Sequence, residues 1–173
     1  NRGTTNSRNK LRTYRLFKNT YKPESYLTNL LNVKYRRAFA LFRCGVAPLR
    51  VELDRYSNSG KIPYNERICE LCDLNQVENE EHVLCHCAAY NDIRVDLFAT
   101  VNDFLPGFSE LSSQMKFLTM MSNELLVKTV SKACYNILLK RQDCIYKNAI
   151  CENDVLNVNN FNNGNGFNNV SHK

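Results

Sequence analysis

The segment Ile68-Cys69-Glu70-Leu71-Cys72, followed after nine intervening residues by His82 and after four more by Cys87, has the spacing of a metal-binding element. A two-residue spacer lets both thiolates reach one ion while backbone amides point at the sulfurs, and zinc prefers four tetrahedral ligands drawn from Cys and His. A Cys-Cys-His-Cys set closes the coordination shell and leaves no position for water, so one structural zinc is the expected cofactor. Three thiolates and a neutral imidazole around Zn²⁺ leave one net negative charge. Cys85 and His86 sit beside these ligands. On a regular helix His82 and His86 share a face, four apart, whereas His82 and Cys87 do not. A site closed by His86 or Cys85 is therefore the rival to one closed by Cys87.

Outward from this element, charge divides the chain sharply. The net +6 conceals 14 Lys or Arg against 3 acids in residues 1–61, 2 against 10 in residues 62–110, and 7 against 4 in residues 111–173. Such asymmetry suggests a basic surface for phosphates or an acidic partner. The plainer reading is that the basic and acidic parts face each other within one fold. Eight cysteines could form a disulfide scaffold, but four of them crowd into one short segment beside two histidines, which favours metal in a reducing compartment. No apolar run reaches the length of a membrane span, and residues 1–10 lack the apolar core of a secretory signal. The expectation is an intracellular protein, nuclear or cytoplasmic, and a chain that is either a fragment of something longer or has had its start removed.

Periodicity points to a mostly α fold, a small helical domain with a zinc-stapled Cys-Cys-His-Cys loop and helix element. Four segments are expected: 1–61 basic and helical, 62–105 zinc-binding, 106–151 C-terminal helices, and 152–173 an Asn-rich disordered tail. Asn1 to Arg8 reads as a flexible lead-in. Leu11, Tyr14, Phe17 and Tyr21 mark one helix face from Lys10 to Tyr21; Pro23 ends it and permits another from about Glu24 to Leu31. Asn32 is the expected N-cap of a helix over Val33–Arg43, stopped by Gly45 and Pro48, with Val33, Ala38, Leu41 and Phe42 facing inward. Val46 to Tyr56 reads as a short extended piece and Ser57 to Pro63 as loop. A helical period runs from about Glu80 to Phe104, is broken at Pro106-Gly107, and resumes over Ser109–Met120 and Asn123–Tyr146.

The acidity around the metal element suits it poorly to phosphate, so zinc would hold shape while the basic helices contact RNA or DNA. Arg12, Arg15, Lys18, Lys34, Arg36, Arg37 and Arg43 are the candidates, with Tyr14 and Tyr35 placed to stack on bases. Each also has a duller reading as a solvated cation or a core aromatic. Cys44, Cys134 and Cys144 read as small buried residues. Glu78, Glu80 and Glu81 lack a nucleophile or an open metal site, so no catalytic residue is assigned and the chain is not expected to be an enzyme.

Glu66-Arg67-Ile68-Cys69-Glu70-Leu71-Cys72, Val77-Glu78-Asn79-Glu80-Glu81-His82, and Cys87-Ala88-Ala89-Tyr90 with Arg94 together resemble a family pattern. It is that of the C-terminal zinc-binding region of non-LTR (LINE-type) retrotransposon reverse transcriptase polyproteins. The run Leu41-Phe42-Arg43-Cys44-Gly45-Val46-Ala47-Pro48-Leu49 to Asp54-Arg55-Tyr56 also fits what precedes the motif there, and the resemblance covers roughly residues 10 to 147. It implies Cys87 rather than His86 as fourth ligand, because the Tyr and Arg follow at fixed steps from that cysteine. It also implies a tail module that helps a polymerase hold template RNA and target DNA during target-primed reverse transcription. The chain departs from a whole polymerase in lacking an adjacent aspartate pair and endonuclease residues, and two-metal chemistry needs clustered carboxylates. The alternative is a structural or protein-interaction zinc module, a domesticated or decayed fragment that binds no nucleic acid.

Overall fold

A computed structural model of the chain describes residues 11–18, 20–56 and 60–163. Eight α-helices order these residues: α1 (Tyr14–Phe17), α2 (Tyr26–Asn29), α3 (Val33–Cys44), α4 (Arg50–Leu53), α5 (Glu80–Cys85), α6 (Asn91–Phe104), α7 (Ser113–Ser122) and α8 (Val127–Asn163). Among the described residues there is no strand, and Ile68 and Val77 form an isolated antiparallel bridge. The chain is mostly α, as its periodicity indicates.

Helix α3 follows its sequence signals closely. The Asn32 side chain accepts from the Lys34 and Tyr35 amides, and Gly45 closes the other end at φ +68°, returning its N–H to the carbonyls of Leu41 and Phe42. Glycine is needed there twice over: the left-handed backbone disfavours a side chain, and a Cβ would come within 2.7 Å of Thr13 Oγ1. Thr13 itself donates to the Phe42 and Arg43 carbonyls at 3.1 and 2.8 Å, so the segment before α1 finishes the cap. The inward face is Ala38, Phe39, Phe42 and Arg43, whereas Val33 is exposed. At the first turn of a helix that enters from an exposed linker, periodicity has nothing to pack against.

Elsewhere the elements are shorter than the pattern suggests. The helix expected over Lys10–Tyr21 is one turn, because the backbone at Lys18 is extended, and the one expected over Glu24–Leu31 is also one turn. The extended piece expected over Val46–Tyr56 is instead α4 followed by a 3₁₀ turn at Asp54–Tyr56. The period running from Glu80 to Phe104 is two helices, broken at His86 and Cys87. Gly107, at φ +89°, breaks the chain after α6 where Pro106-Gly107 signals it.

The chain divides into two units, one ending at Leu139 and the next beginning at Lys140. In the first, the basic, metal-element and C-terminal segments share one core: Phe39 and Phe42 of α3, Val51 of α4, Leu84 of α5, Leu97 and Val101 of α6, Met120 and Met121 of α7, and Val130 and Ile137 are all buried in it. The described part of the second is helical to Asn163, so helix enters the stretch expected to be disordered. The rest of that tail, the lead-in at residues 1–10 and part of the Ser57–Pro63 loop lie outside the described residues. No helix among the described residues is long and apolar enough to cross a membrane.

Candidate metal centre

Two short pieces of chain build the site. The first folds back on itself: Glu78 N–H donates to Arg67 at 2.9 Å and Cys69 N–H to Gln76 at 2.8 Å. This clasp presents Cys69 and Cys72 from one side. At its turn Asn75 takes φ +54°, a conformation asparagine tolerates better than most residues. Val51 N–H donates to Glu78 at 3.1 Å, and buried Glu78 accepts from the Arg50 amide at 2.7 Å, so α4 anchors the clasp. The fully buried Arg67 guanidinium donates to the Val51 and Ile62 carbonyls.

The second piece is α5. Asn79 caps it, its side chain accepting from His82 N–H at 2.8 Å. The helix ends at Cys85, and the His82 carbonyl then receives both the His86 and the Cys87 amides, at 2.8 and 2.9 Å. The second of these bonds spans five residues. That widened turn swings Cys87 back toward His82, onto a face a regular helix would deny it. It removes the geometric objection that made His86 a rival.

The donor atoms of Cys69, Cys72, His82 and Cys87 all lie within 4.8 Å of one another. Cys69 and Cys87 Sγ are 3.8 Å apart, and Cys72 Sγ is 3.4 Å from His82 Nε2. Cys69, His82 and Cys87 are buried and Cys72 half-buried. These four are close enough to hold a metal ion, and the rivals lie elsewhere. Cys85 is buried in the core, its thiol pushed up to about 12 by burial. His86 lies 3.9 Å from Glu81, with its ring stacked 6.3 Å from that of His82 and its pKa lowered by burial.

The Cys69 thiol is pushed up to about 12, first by its hydrogen bond with Cys87 and then by burial, while the same bond lowers Cys87. Two supporting residues surround the donors. Gln76 Oε1 lies 3.1 Å from His82 Nδ1; with the Nδ1 proton donated to it, Nε2 is left free to ligate. Sequence reasoning did not single out Gln76, although its place in the clasp between Cys72 and His82 is a usable signal. Arg94 donates to the Leu84 carbonyl at 3.3 Å and to the Cys87 carbonyl, and so pins the turn that positions Cys87. Tyr90 is fully buried.

The basic candidates do not form one surface. Arg12 bridges Glu52 and Glu80, at 3.1 and 2.8 Å. Lys18 and Arg43 flank Glu24, at 2.9 and 2.8 Å, and Arg43 is buried, donating also to the Met121 carbonyl. Arg36 donates to the Leu27 and Leu30 carbonyls, finishing α2. Arg15, Lys34 and Arg37 remain exposed. The basic segment therefore spends part of its charge on the acidic one: Arg12 reaches Glu80, and Arg50 reaches Glu70.

No protein-family model, curated protein or solved structure matches the chain.

Proposed function

We propose that Cys69, Cys72, His82 and Cys87 bind one structural zinc, and that the chain is a zinc-stapled helical module that contacts RNA or DNA. The convergence of the four donors carries this reading. Tetrahedral zinc with sulfur ligands at about 2.3 Å requires sulfurs roughly 3.8 Å apart, and with imidazole nitrogen at about 2.0 Å a sulfur–nitrogen edge near 3.5 Å. The observed 3.8 and 3.4 Å need almost no adjustment. The ion supplies a cross-link between the clasp and α5; four protein ligands leave no position for water, so it performs no chemistry on a substrate. Metal content of the purified chain by elemental mass spectrometry tests this. One zinc per chain, lost in Cys69→Ser, supports it; an unmetallated wild type refutes it.

Nucleic-acid contact rests on the resemblance to LINE-type reverse transcriptases and on the cations left uncommitted. With Arg15, Lys34 and Arg37 meeting phosphates, the logarithmic salt slope for a single strand is about −2. Salt-insensitive binding, or none, favours the second reading, a protein-interaction module. The pairing of Arg12 with Glu80 and Arg50 with Glu70 speaks for that reading, since these cations already have anions.

A further inference from the structure

Helix α3 and the 127–139 part of α8 contain no Asp or Glu, yet between them they carry Lys34, Arg36, Arg37, Arg43, Lys128 and Lys132. Where the two helices meet, the rings of Tyr35 and Tyr135 lie 5.4 Å apart at 56°, both half-buried. Lys128, two turns before Tyr135 and about 10 Å along the axis, lies on the same stripe of α8 and is exposed. Lys34 neighbours Tyr35 and is exposed as well. Lys132 is exposed too, but it also borders a cleft whose opposite wall carries Asp92 and Asp96, so its charge is partly answered.

We infer that the Tyr35–Tyr135 pair, flanked by Lys34 and Lys128, is a stacking platform for a single-stranded nucleic acid. The inference rests on the nucleic-acid reading above and moves its centre from the N-terminal cations to the seam between α3 and α8. Aromatic faces accept any unpaired base, and nearby lysines neutralise the phosphates that link successive bases. A duplex hides its base faces, and an acidic peptide has none. Both should therefore bind the seam less well than a single strand of equal charge.

The test uses the zinc-loaded full chain and three labelled probes of equal charge: a single-stranded RNA of mixed sequence, a duplex of half its length, and polyglutamate. Fluorescence anisotropy should rank the single strand tightest. Tyr35→Leu with Tyr135→Leu should weaken it about five-fold or more, the stacking of one base, while Tyr→Phe at both positions restores it. Should the Leu pair fail to fold, Lys128→Gln, on an exposed side chain, still tests the site: it should reduce the salt slope by about 0.7. Duplex or polyglutamate binding as tight as the single strand overturns the platform. So does single-strand binding that survives the Tyr and Lys128 changes but disappears in Arg15→Gln/Arg37→Gln, a result that leaves the nucleic-acid reading standing. Failure of every nucleic-acid probe to bind removes both.

Discussion

Cys87 shows how much one residue depends on the backbone that delivers it. It closes the donor set because the His82 carbonyl accepts a second amide one residue past the helical register. Cys87→Ala should therefore release zinc in a competition assay with a chromophoric chelator, while His86→Ala retains it; the reverse result assigns the fourth ligand to His86. Arg12 makes a different case. Glu80 is 1% exposed and Arg12 meets it at 2.8 Å. Even so, burial raises the Glu80 pKa above its ordinary value, against the lowering by Arg12. A carboxyl whose pKa is raised on folding is most compatible with the fold below its unfolded value, and costs stability as pH rises through its folded one. Arg12→Ala removes the compensating charge and should cost about 3 kcal/mol. Urea denaturation should find that loss larger at neutral pH than in mild acid, where Glu80 is protonated; a pH-independent loss would mean that Arg12 acts through packing alone.

At the scale of elements, α5 is six residues long, too short to persist without help. Asn79 caps it, and the candidate metal ligands His82 and Cys87 lie on it and just beyond it. Under the proposed zinc reading, cap and ion stabilise the same turn from opposite ends. Asn79→Ala should cost about 1 kcal/mol, and zinc affinity should fall with it, because an ion that binds only the ordered turn bears the cost of ordering it. Thermal denaturation with and without zinc, paired with a zinc titration, separates the two effects: a stability loss with unchanged affinity would mean that α5 stays formed without its cap. Legibility at this scale was uneven. Asn32 and Gly45 were readable as the ends of α3 because cap chemistry is local. The one-turn lengths of α1 and α2 were not, since what ends them is an extended backbone at Lys18 and Leu30 that no Pro or Gly announces at those positions.

On the scale of the molecule, charge and composition divide the chain into basic, metal-binding and C-terminal segments. Their burial in one core up to Leu139 changes what metal loss should do. With α5 packed on α7 and α4 bonded to the clasp, disorder at the site exposes apolar surface belonging to every segment. Chelation of zinc should therefore lower the thermal midpoint in one cooperative transition, by more than about 10 °C given the size of structural zinc free energies. Loss of helicity confined to residues 62–104, which a separable metal element would show, would mean that the core holds without its staple. Hydrogen exchange followed by mass spectrometry distinguishes these outcomes.

The sequence by itself determined the types and spacing of the candidate ligands, the helical class and the ends of α3, because donor spacing, hydrophobic period and caps act over a few neighbouring residues. Tertiary structure alone decided which cations are spent. Arg12 and Arg43 read as surface charge until Glu80 and Glu24 are seen beside them, since ion pairs between residues far apart in the chain leave no local trace. It alone also brought Tyr35 against Tyr135. Such juxtapositions come from the packing of whole elements, a cooperative outcome of burying the shared core that no window of sequence contains.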